Sequence, residues 1–511
     1  MVNNSQKTQR IAKNTLFLYF RMFLTMLIGL YTSRVILNVL GVEDYGTYNV
    51  VGGVVGMFSL LTAAMSSSIS RFLTFELGRG DMEHLKKVFS TSLNVQFLMA
   101  FVIIVATEII GVWFLNHKIN IPIERLDAAN WVMQCSIITF VVNLLMSPYN
   151  ASIISHEKMG LYAYISILDV VLKLIVVFSL YYSPFDKLKS YAVLLFAVSV
   201  IIAGIYWLYC KYNFEECQYQ LRVDKKLLKE ITGYAGWGVV GDGAWILNTQ
   251  GVNILINLFF GVTLNAARGI ATTVDNIVQS FVRSFMVALN PQITKSYASG
   301  DLQYMHKLIF FGAKYSYFLM LLFIIPICLE TNLILSLWLR TVPDYAVVFS
   351  QLSLIASMSW ALGNTLTTAI AATGKIRNFE LVVGVAYLLI FPMTWIAFEI
   401  GLPPVSCYII YVVVFFLIVF MKIRLVAKKI HMSGKDYMCR VLLKCLYVTV
   451  LSSFLPVCIC CFQEDSIPRL LEVGIISVCC TITSIWYVGI TEEEKTYALD
   501  FIKKRIYRNN R

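Results

Sequence analysis

Residues 41–81 read GVEDYGTYNVVGGVVGMFSLLTAAMSSSISRFLTFELGRGD, and residues 261–301 read GVTLNAARGIATTVDNIVQSFVRSFMVALNPQITKSYASGD. Both stretches open on Gly-Val and close on Gly-Asp, and Thr74 recurs as Thr294 at the same offset of 220 residues (261 − 41). The intervening apolar positions stay in phase, which indicates a duplication. A unit of about 200 residues is far longer than a solenoid repeat of about 20 to 50 residues. Long apolar duplications are typical of transporters, whose substrate path lies between two halves.

The composition excludes a soluble protein. Of 511 residues, 58% are hydrophobic and 14% are charged, and the mean hydropathy is +0.71. A soluble domain is about one-quarter charged, so this chain is predicted to cross a membrane many times. Its first apolar segment is too long for the apolar core of a signal peptide, so no cleaved signal is expected.

Apolar runs of about 20 residues, long enough to span a membrane, recur along the chain. They are predicted at 15–40, 47–70, 88–115, 129–155, 161–182, 190–212, 233–259, 264–290, 308–328, 346–372, 379–400, 403–423, 440–462 and 469–490. The predicted fold class is an all-α polytopic membrane protein with about 14 transmembrane helices.

The predicted loops differ in charge. Lys and Arg concentrate on the side of the N-terminus, notably in 213–232, in 422–444 and in the tail 491–511. Because cytoplasmic loops carry the excess of Lys and Arg, both termini are predicted to be cytoplasmic. Topology, together with anionic lipid at the inner surface, then explains the net charge of +12, and no nucleic-acid partner is expected.

The even number of predicted helices between the two copies predicts a parallel repeat. Six predicted helices separate the starts of the two copies, so both copies enter the membrane from the same side. The chain is therefore predicted to contain an N-lobe of six helices, a cytoplasmic linker, a C-lobe of six helices, two additional helices and a basic cytoplasmic tail. Their predicted limits are 1–212, 213–232, 233–425, 426–490 and 491–511.

One predicted helix, 264–290, carries an unusual set of polar residues. Arg268, Thr272, Asp275, Gln279 and Arg283 follow at intervals of three or four residues, which places them on one helix face. Ionisable residues inside a membrane span are costly and usually functional. This stripe is therefore predicted to line a polar cavity.

The preceding helix, 233–259, has a polar stripe of its own. Asp242, Thr249, Asn253 and Asn257 share one face by the same spacing. Two adjacent polar stripes indicate a water-filled space between the lobes. Amides and hydroxyls also hold membrane helices together by bonding to one another, so both interpretations stay open.

Two more arginines, Arg21 and Arg34, lie inside the first predicted helix. With the two arginines of helix 264–290 they outnumber Asp242 and Asp275, so the predicted cavity is cationic. Because Arg binds phosphate oxygens in a bidentate fork, a phosphate-bearing cargo follows as a hypothesis. The predicted substrate-binding residues are Arg268, Arg283, Arg21, Arg34, Gln279 and Asn253.

The segment from Leu37 to Asp81 resembles the opening of Wzx-type polysaccharide biosynthesis flippases. These belong to the MATE-like multidrug/oligosaccharidyl-lipid/polysaccharide exporter (MOP) superfamily. The resemblance implies that the chain moves undecaprenyl-diphosphate-linked oligosaccharide (an O-antigen, capsule or exopolysaccharide unit) across the bacterial inner membrane by alternating access. Arg268 occupies the place of a cavity-facing Arg in the similar lipid II flippases. Those relatives also carry Arg in the middle of helix two, where this chain has residues 50–56 without one.

The resemblance also implies coupling to a proton or sodium gradient through carboxylates of the second lobe, for which Asp242 and Asp275 are the candidates. Asp242 has no Arg on its helix, which favours the coupling role. Asp275 lies between two arginines, which favours pairing with them. A monomer is expected, with polysaccharide polymerases and glycosyltransferases as possible partners.

Other chemistry is not evident in the sequence. The five His lack metal-ligand spacing, and there is no phosphate-binding Gly-rich loop with Lys, so neither a metal nor another cofactor is expected. One alternative is a MATE-type multidrug or small-molecule exporter, which usually lacks the two additional helices. The other alternative is a membrane polymerase or ligase of surface polysaccharide. Such an enzyme tends to have a large outer loop, and the predicted outer loops are short, so the chain is predicted not to be an enzyme.

Overall fold

The computed structural model describes residues 2–56, 58–117, 123–220, 224–260, 262–339, 342–492 and 494–496. The described backbone is helical throughout apart from short turns, and it contains no strand, which confirms the all-α fold class. The α-helices are α1 Val2–Gly56, α2 Ser59–Arg79, α3 Met82–Ala106, α4 Val112–His117, α5 Leu126–Ser155, α6 Met159–Ser179, α7 Lys187–Asn213, α8 Lys225–Phe260, α9 Val262–Ala298, α10 Leu302–Leu329, α11 Thr331–Trp338, α12 Ala346–Thr373, α13 Arg377–Leu388, α14 Ile390–Glu399, α15 Ser406–Lys429, α16 Gly434–Tyr437, α17 Leu443–Phe462 and α18 Ile467–Ser484.

Ten helical segments of the described chain are long and apolar enough to cross a membrane. They coincide with ten of the predicted spans, so the protein is a multi-pass membrane protein. The other four predicted spans fall on α1, α2, α8 and α9, which carry more polar residues. The total of fourteen stays a prediction.

The chain forms two compact units, one of residues 12–242 and one of residues 243–496 together with 2–11. The division falls inside α8, ten residues beyond the predicted linker 213–232. Most of that linker belongs to the first unit, because Phe214, Cys217, Leu227 and Ile231 are buried in its core. The predicted domain limits themselves stay a prediction.

Helix α1 does not run straight. Asn14 Nδ2 donates a hydrogen bond to the carbonyl of Glu157 at 3.2 Å, while the hydroxyls of Thr74 and Ser155 are 2.7 Å apart. Sixty residues of straight helix would separate Asn14 from Thr74 by about 90 Å. The chain must therefore reverse direction between them.

The packing partners place this reversal between Leu40 and Val51. Val35, Ile36, Val39 and Leu40 pack against α6 and α7, whereas Val51 and Val55 pack against α5. The reversal lies where the sequence analysis separates its first two spans.

The repeated Gly-Asp dipeptide has the same structural role in both copies. Gly80 and Gly300 end one helix with φ of +77° and +76°, a left-handed conformation that only glycine adopts without strain. The next residue caps the following helix: Asp81 accepts from the backbone N–H of His84, and Asp301 from that of Tyr304, each at 3.0 Å. The dipeptide repeated in the sequence therefore forms a repeated turn in the structure.

A partly buried ion cluster ties three parts of the first unit together at one end. Arg125 contacts Asp44 on α1 and Asp186 before α7, each at 2.6 Å. Burial alone would raise the pKa of Asp186. The backbone N–H of Lys189 and the Arg125 guanidinium outweigh burial and hold that pKa below its usual range.

We expect Asp186→Asn to reduce the stability of the unit by about 1 kcal/mol at pH 7, since the pair is partly exposed. A lowered pKa contributes stability that is present above the ordinary carboxyl pKa and is lost as the pH falls through the lowered value. The difference in thermal midpoint between parent and variant should therefore shrink below about pH 4. If the difference in thermal midpoint persists unchanged at low pH, the destabilisation comes from packing and not from the ion pair.

Candidate substrate-binding site

Arg268 is a buried cation of the second unit. It lies in the second turn of α9 and is only 5% exposed. Its Nη2 donates to the carbonyl of Thr249 at 3.2 Å and to the hydroxyl of Tyr411 at 3.3 Å. The guanidinium of α9 therefore contacts the backbone of α8 and a side chain of α15.

Two aromatic rings of α15 flank the Arg268 guanidinium. The ring centres of Tyr408 and Tyr411 lie 5.9 and 5.6 Å from its Cζ. Aromatic faces attract a cation without neutralising it, so they hold the guanidinium in place and leave its charge available. The sequence analysis missed both tyrosines because α15 reads as an apolar span.

The charge of Arg268 is not compensated within the described chain. No described carboxylate lies at ion-pair distance from it, and its buried Nη1 has no hydrogen-bond partner there. A buried, unpaired charge is expensive and is usually matched by an ion or a ligand. The arrangement is chemically suited to an anion.

Asp275 and Gln279 form a second polar group on the same helix. Asp275 accepts hydrogen bonds from the hydroxyl of Ser357 on α12, at 2.5 Å, and from Gln279 Nε2, at 2.8 Å. Gln279 also donates to Ser357 at 2.8 Å. These hydrogen-bond partners are thus neutral, and Arg283, one of the two arginines that the sequence analysis pairs with this carboxylate, interacts with it electrostatically.

Arg283 and the candidates on α8 are less enclosed. Arg283 is exposed and donates to the side-chain oxygen of Asn276 at 3.3 Å. Asp242 is exposed at the end of the first unit. Asn253 donates to Gln250 at 3.2 Å, and the side chain of Asn257 lies outside the described part. None of these contacts assigns a substrate role.

The first unit contains its own charged and aromatic group. Arg21 is half-buried, with its Cζ 4.9 Å from the ring centre of Tyr162. Asp169 and Lys173 form an ion pair on α6 at 2.7 Å. The side chain of Arg34 lies outside the described part of the chain.

Lys422 is a buried cation that the sequence analysis counts in the basic segment 422–444. It is 7% exposed, and its ammonium donates to the hydroxyl of Thr367 at 3.0 Å. A Cβ atom at Gly363 would lie 3.2 Å from the side chain of Lys422. The glycine therefore leaves room on α12 for the lysine side chain. The sequence alone does not show whether the side chain of a charged residue at the end of an apolar span points into the protein.

Comparison with known proteins supplies the family and the fold. The model of the family described as polysaccharide biosynthesis protein matches residues 11–297. The uncharacterized membrane protein EpsK of Bacillus subtilis (strain 168) is 20% identical over 281 residues, which are 55% of each chain. The chain thus spans about half the length of this curated relative.

Solved MATE structures share the fold. MATE in the straight and bent conformations aligns with a TM-score of 0.71 at 13% identity, over 83% of this chain and 96% of theirs. A MOP superfamily transporter from Pyrococcus furiosus, described as having a binding pocket of reverse polarity, aligns with a TM-score of 0.67 at 12% identity over the same shares. The resemblance to the MATE-like superfamily is confirmed for the fold. The family model covers more than half of this chain, so the chain belongs to the polysaccharide biosynthesis protein family.

Proposed function

We propose that this protein is a flippase that moves undecaprenyl-diphosphate-linked oligosaccharide across the bacterial inner membrane by alternating access, driven by an ion gradient. The observation that carries the proposal is Arg268, a buried guanidinium without a described counter-ion in a polysaccharide biosynthesis protein. A diphosphate supplies the oxygens that such a fork binds. A cationic drug would be repelled by the same group, which disfavours the MATE-type alternative.

The flanking groups support selectivity for an anion. Tyr411 fixes one nitrogen of the guanidinium, and the faces of Tyr408 and Tyr411 restrict its movement. Nη1 remains available as a donor to a phosphate oxygen. Glycosyltransferases would supply this cargo and a polysaccharide polymerase would consume it, so such enzymes are the proposed partners.

Reconstituted transport tests the proposal. The purified protein is placed in liposomes with a fluorescent undecaprenyl-diphosphate sugar, and accessibility of the sugar to an external glycosidase is followed with time. We expect protein-dependent flipping of the lipid-linked sugar and no uptake of a cationic dye. Dye transport without flipping would favour the multidrug exporter, and formation of longer glycans would favour an enzyme.

The contacts favour Asp275 over Asp242 as the coupling carboxylate. Asp275 is held by a hydroxyl and an amide, which can stabilise either its charged or its protonated form. A carboxylate that carries a coupling proton must change its charge during the cycle. A carboxylate held by a permanent arginine bond would resist that change.

We expect Asp275→Asn to remove the response of flipping to an imposed pH gradient, because the amide is fixed in a neutral form. The loss should be at least about tenfold in rate, with normal protein abundance in the membrane. Asp242→Asn provides the comparison on α8. An unchanged gradient response in Asp275→Asn, with loss in Asp242→Asn, would return the coupling role to Asp242. A response only to a sodium gradient would identify sodium, rather than the proton, as the coupling ion.

The excess of cations on one set of loops supports cytoplasmic termini. We expect reporter tags at both ends to give cytoplasmic signals and a tag beside Asp127 to give a periplasmic signal. An external C-terminus would contradict the even number of spans and the parallel arrangement of the repeats.

A further inference from the structure

Four cations from three parts of the second unit meet beside the start of α17. Lys444 is half-buried on α17, and its ammonium interacts electrostatically with Lys314, Lys495 and Arg440 and with the carboxylate of Glu494. Arg440 is exposed on the helical turn before α17, four residues from Lys444. The four side chains come from α10, from the start of the α17 segment and from the segment after α18. Only the tertiary structure brings them together.

The carboxylates of this cluster are already engaged. Both oxygens of Glu494 accept from the buried ammonium of Lys314, at 2.9 and 3.0 Å. Glu492 pairs with Lys495 at 2.7 Å.

Lys444 and Arg440 have no ion-pair partner in the part of the chain that the structure describes. Like charges four residues apart destabilise a helix. The described groups therefore leave two positive charges uncompensated at this place.

The surroundings are those of a lipid headgroup. The two additional spans begin and end here, and Trp486 and Tyr487 occupy the end of the second one, as aromatic residues do at the membrane interface. Met438 and Leu443, beside the two cations, are 43% and 44% exposed. An apolar surface next to an uncompensated charge suits an acyl chain attached to a phosphate.

We propose that Arg440 and Lys444 bind the phosphate of an anionic glycerophospholipid, with the acyl chains beside Met438 and Leu443. The bound phosphate neutralises the two cations and holds the turn before α17 against α10. The site is separate from Arg268 and does not depend on the cargo. It assigns a lipid-binding role to the two additional helices, which lie outside the repeat.

The test uses the purified full chain in micelles and phosphatidylglycerol labelled on an acyl chain. Each cation at a membrane surface contributes about 1 kcal/mol, so the variant with both Arg440→Gln and Lys444→Gln should bind roughly thirtyfold more weakly. The matched control replaces Lys428 and Lys429 by Gln, which removes the same charge from exposed positions on α15. The control should keep the parent affinity. Arg440→Gln alone changes an exposed residue and should weaken binding several-fold with an unchanged fold.

Three results would overturn the proposal. If lipid binding weakens equally in the control, the effect comes from the net charge of the protein and not from this site. Equal binding of phosphatidylcholine would remove the role of an anionic headgroup. Saturation of the site by millimolar inorganic phosphate, with full displacement of the lipid, would make it a site for a soluble anion.

Discussion

Arg268→Ala should abolish flipping while the protein remains in the membrane at normal abundance. The guanidinium is the buried cation of the proposed site, and two charge-assisted hydrogen bonds to phosphate are worth about 3 kcal/mol together. Their loss corresponds to a roughly hundredfold lower rate at limiting substrate. Complementation of a flippase-deficient strain and the liposome assay both measure this effect.

Arg268→Lys should restore little of this activity. An ammonium is a point charge and does not reproduce the planar fork that bonds to Thr249, Tyr411 and a phosphate at the same time. Arg424→Ala, at an exposed position of α15, is the control for loss of an arginine and should behave as the parent. Full activity in Arg268→Ala would leave Arg268 with a packing role only.

The sequence predicts this fold well because membrane helices are determined by local features. An apolar run of about 20 residues spans the membrane wherever it occurs, and every backbone polar group must bond within its own helix. The Gly-Asp dipeptides are equally local, because Gly80 and Gly300 terminate one helix and the following Asp begins the next. Fold class and repeat could therefore be predicted without tertiary information.

The candidate site was predicted less completely because its chemistry depends on which faces meet. The spacing placed Arg268 and Asp275 on one face of α9, and both have polar partners on neighbouring helices. Which partners they would have could not be read from that spacing. Asp275 bonds to Ser357, 82 residues away, and Arg268 bonds to Tyr411, 143 residues away. Neither partner stands out in its own apolar segment.

The two additional helices provide the second large expected effect, on stability. The side chain of Arg469 at the start of α18 bonds in two places to Glu330 at the end of α10, at 2.8 and 3.0 Å. Arg469 and Glu330 are 6% and 1% exposed. At the other end of the same helices, the Lys314–Glu494 pair ties the segment after α18 to α10. Each end of the added pair is thus joined to α10 by an ion pair.

Glu330→Gln should destabilise the attachment of α17 and α18 by about 3 kcal/mol, because it removes the buried carboxylate that accepts two hydrogen bonds from Arg469 and leaves that guanidinium only the exposed Asp465, at 2.7 Å, as a charge partner. The buried thiol of Cys445 reports this attachment, since it is 2% exposed. In a variant whose only cysteine is Cys445, its labelling by a maleimide should accelerate by roughly a hundredfold when Glu330 is replaced.

The double variant distinguishes an ion pair from simple packing. Removing both charges, as Glu330→Gln with Arg469→Met, eliminates the guanidinium that has lost its buried partner and should recover most of the lost protection, because apolar replacement of a buried pair is often neutral. If the double variant is labelled as fast as the sum of both single effects predicts, the two residues act independently. In that case the attachment of α17 and α18 depends on contacts such as the hydrogen bond between Tyr317 and Thr449, at 2.9 Å, rather than on the ion pair.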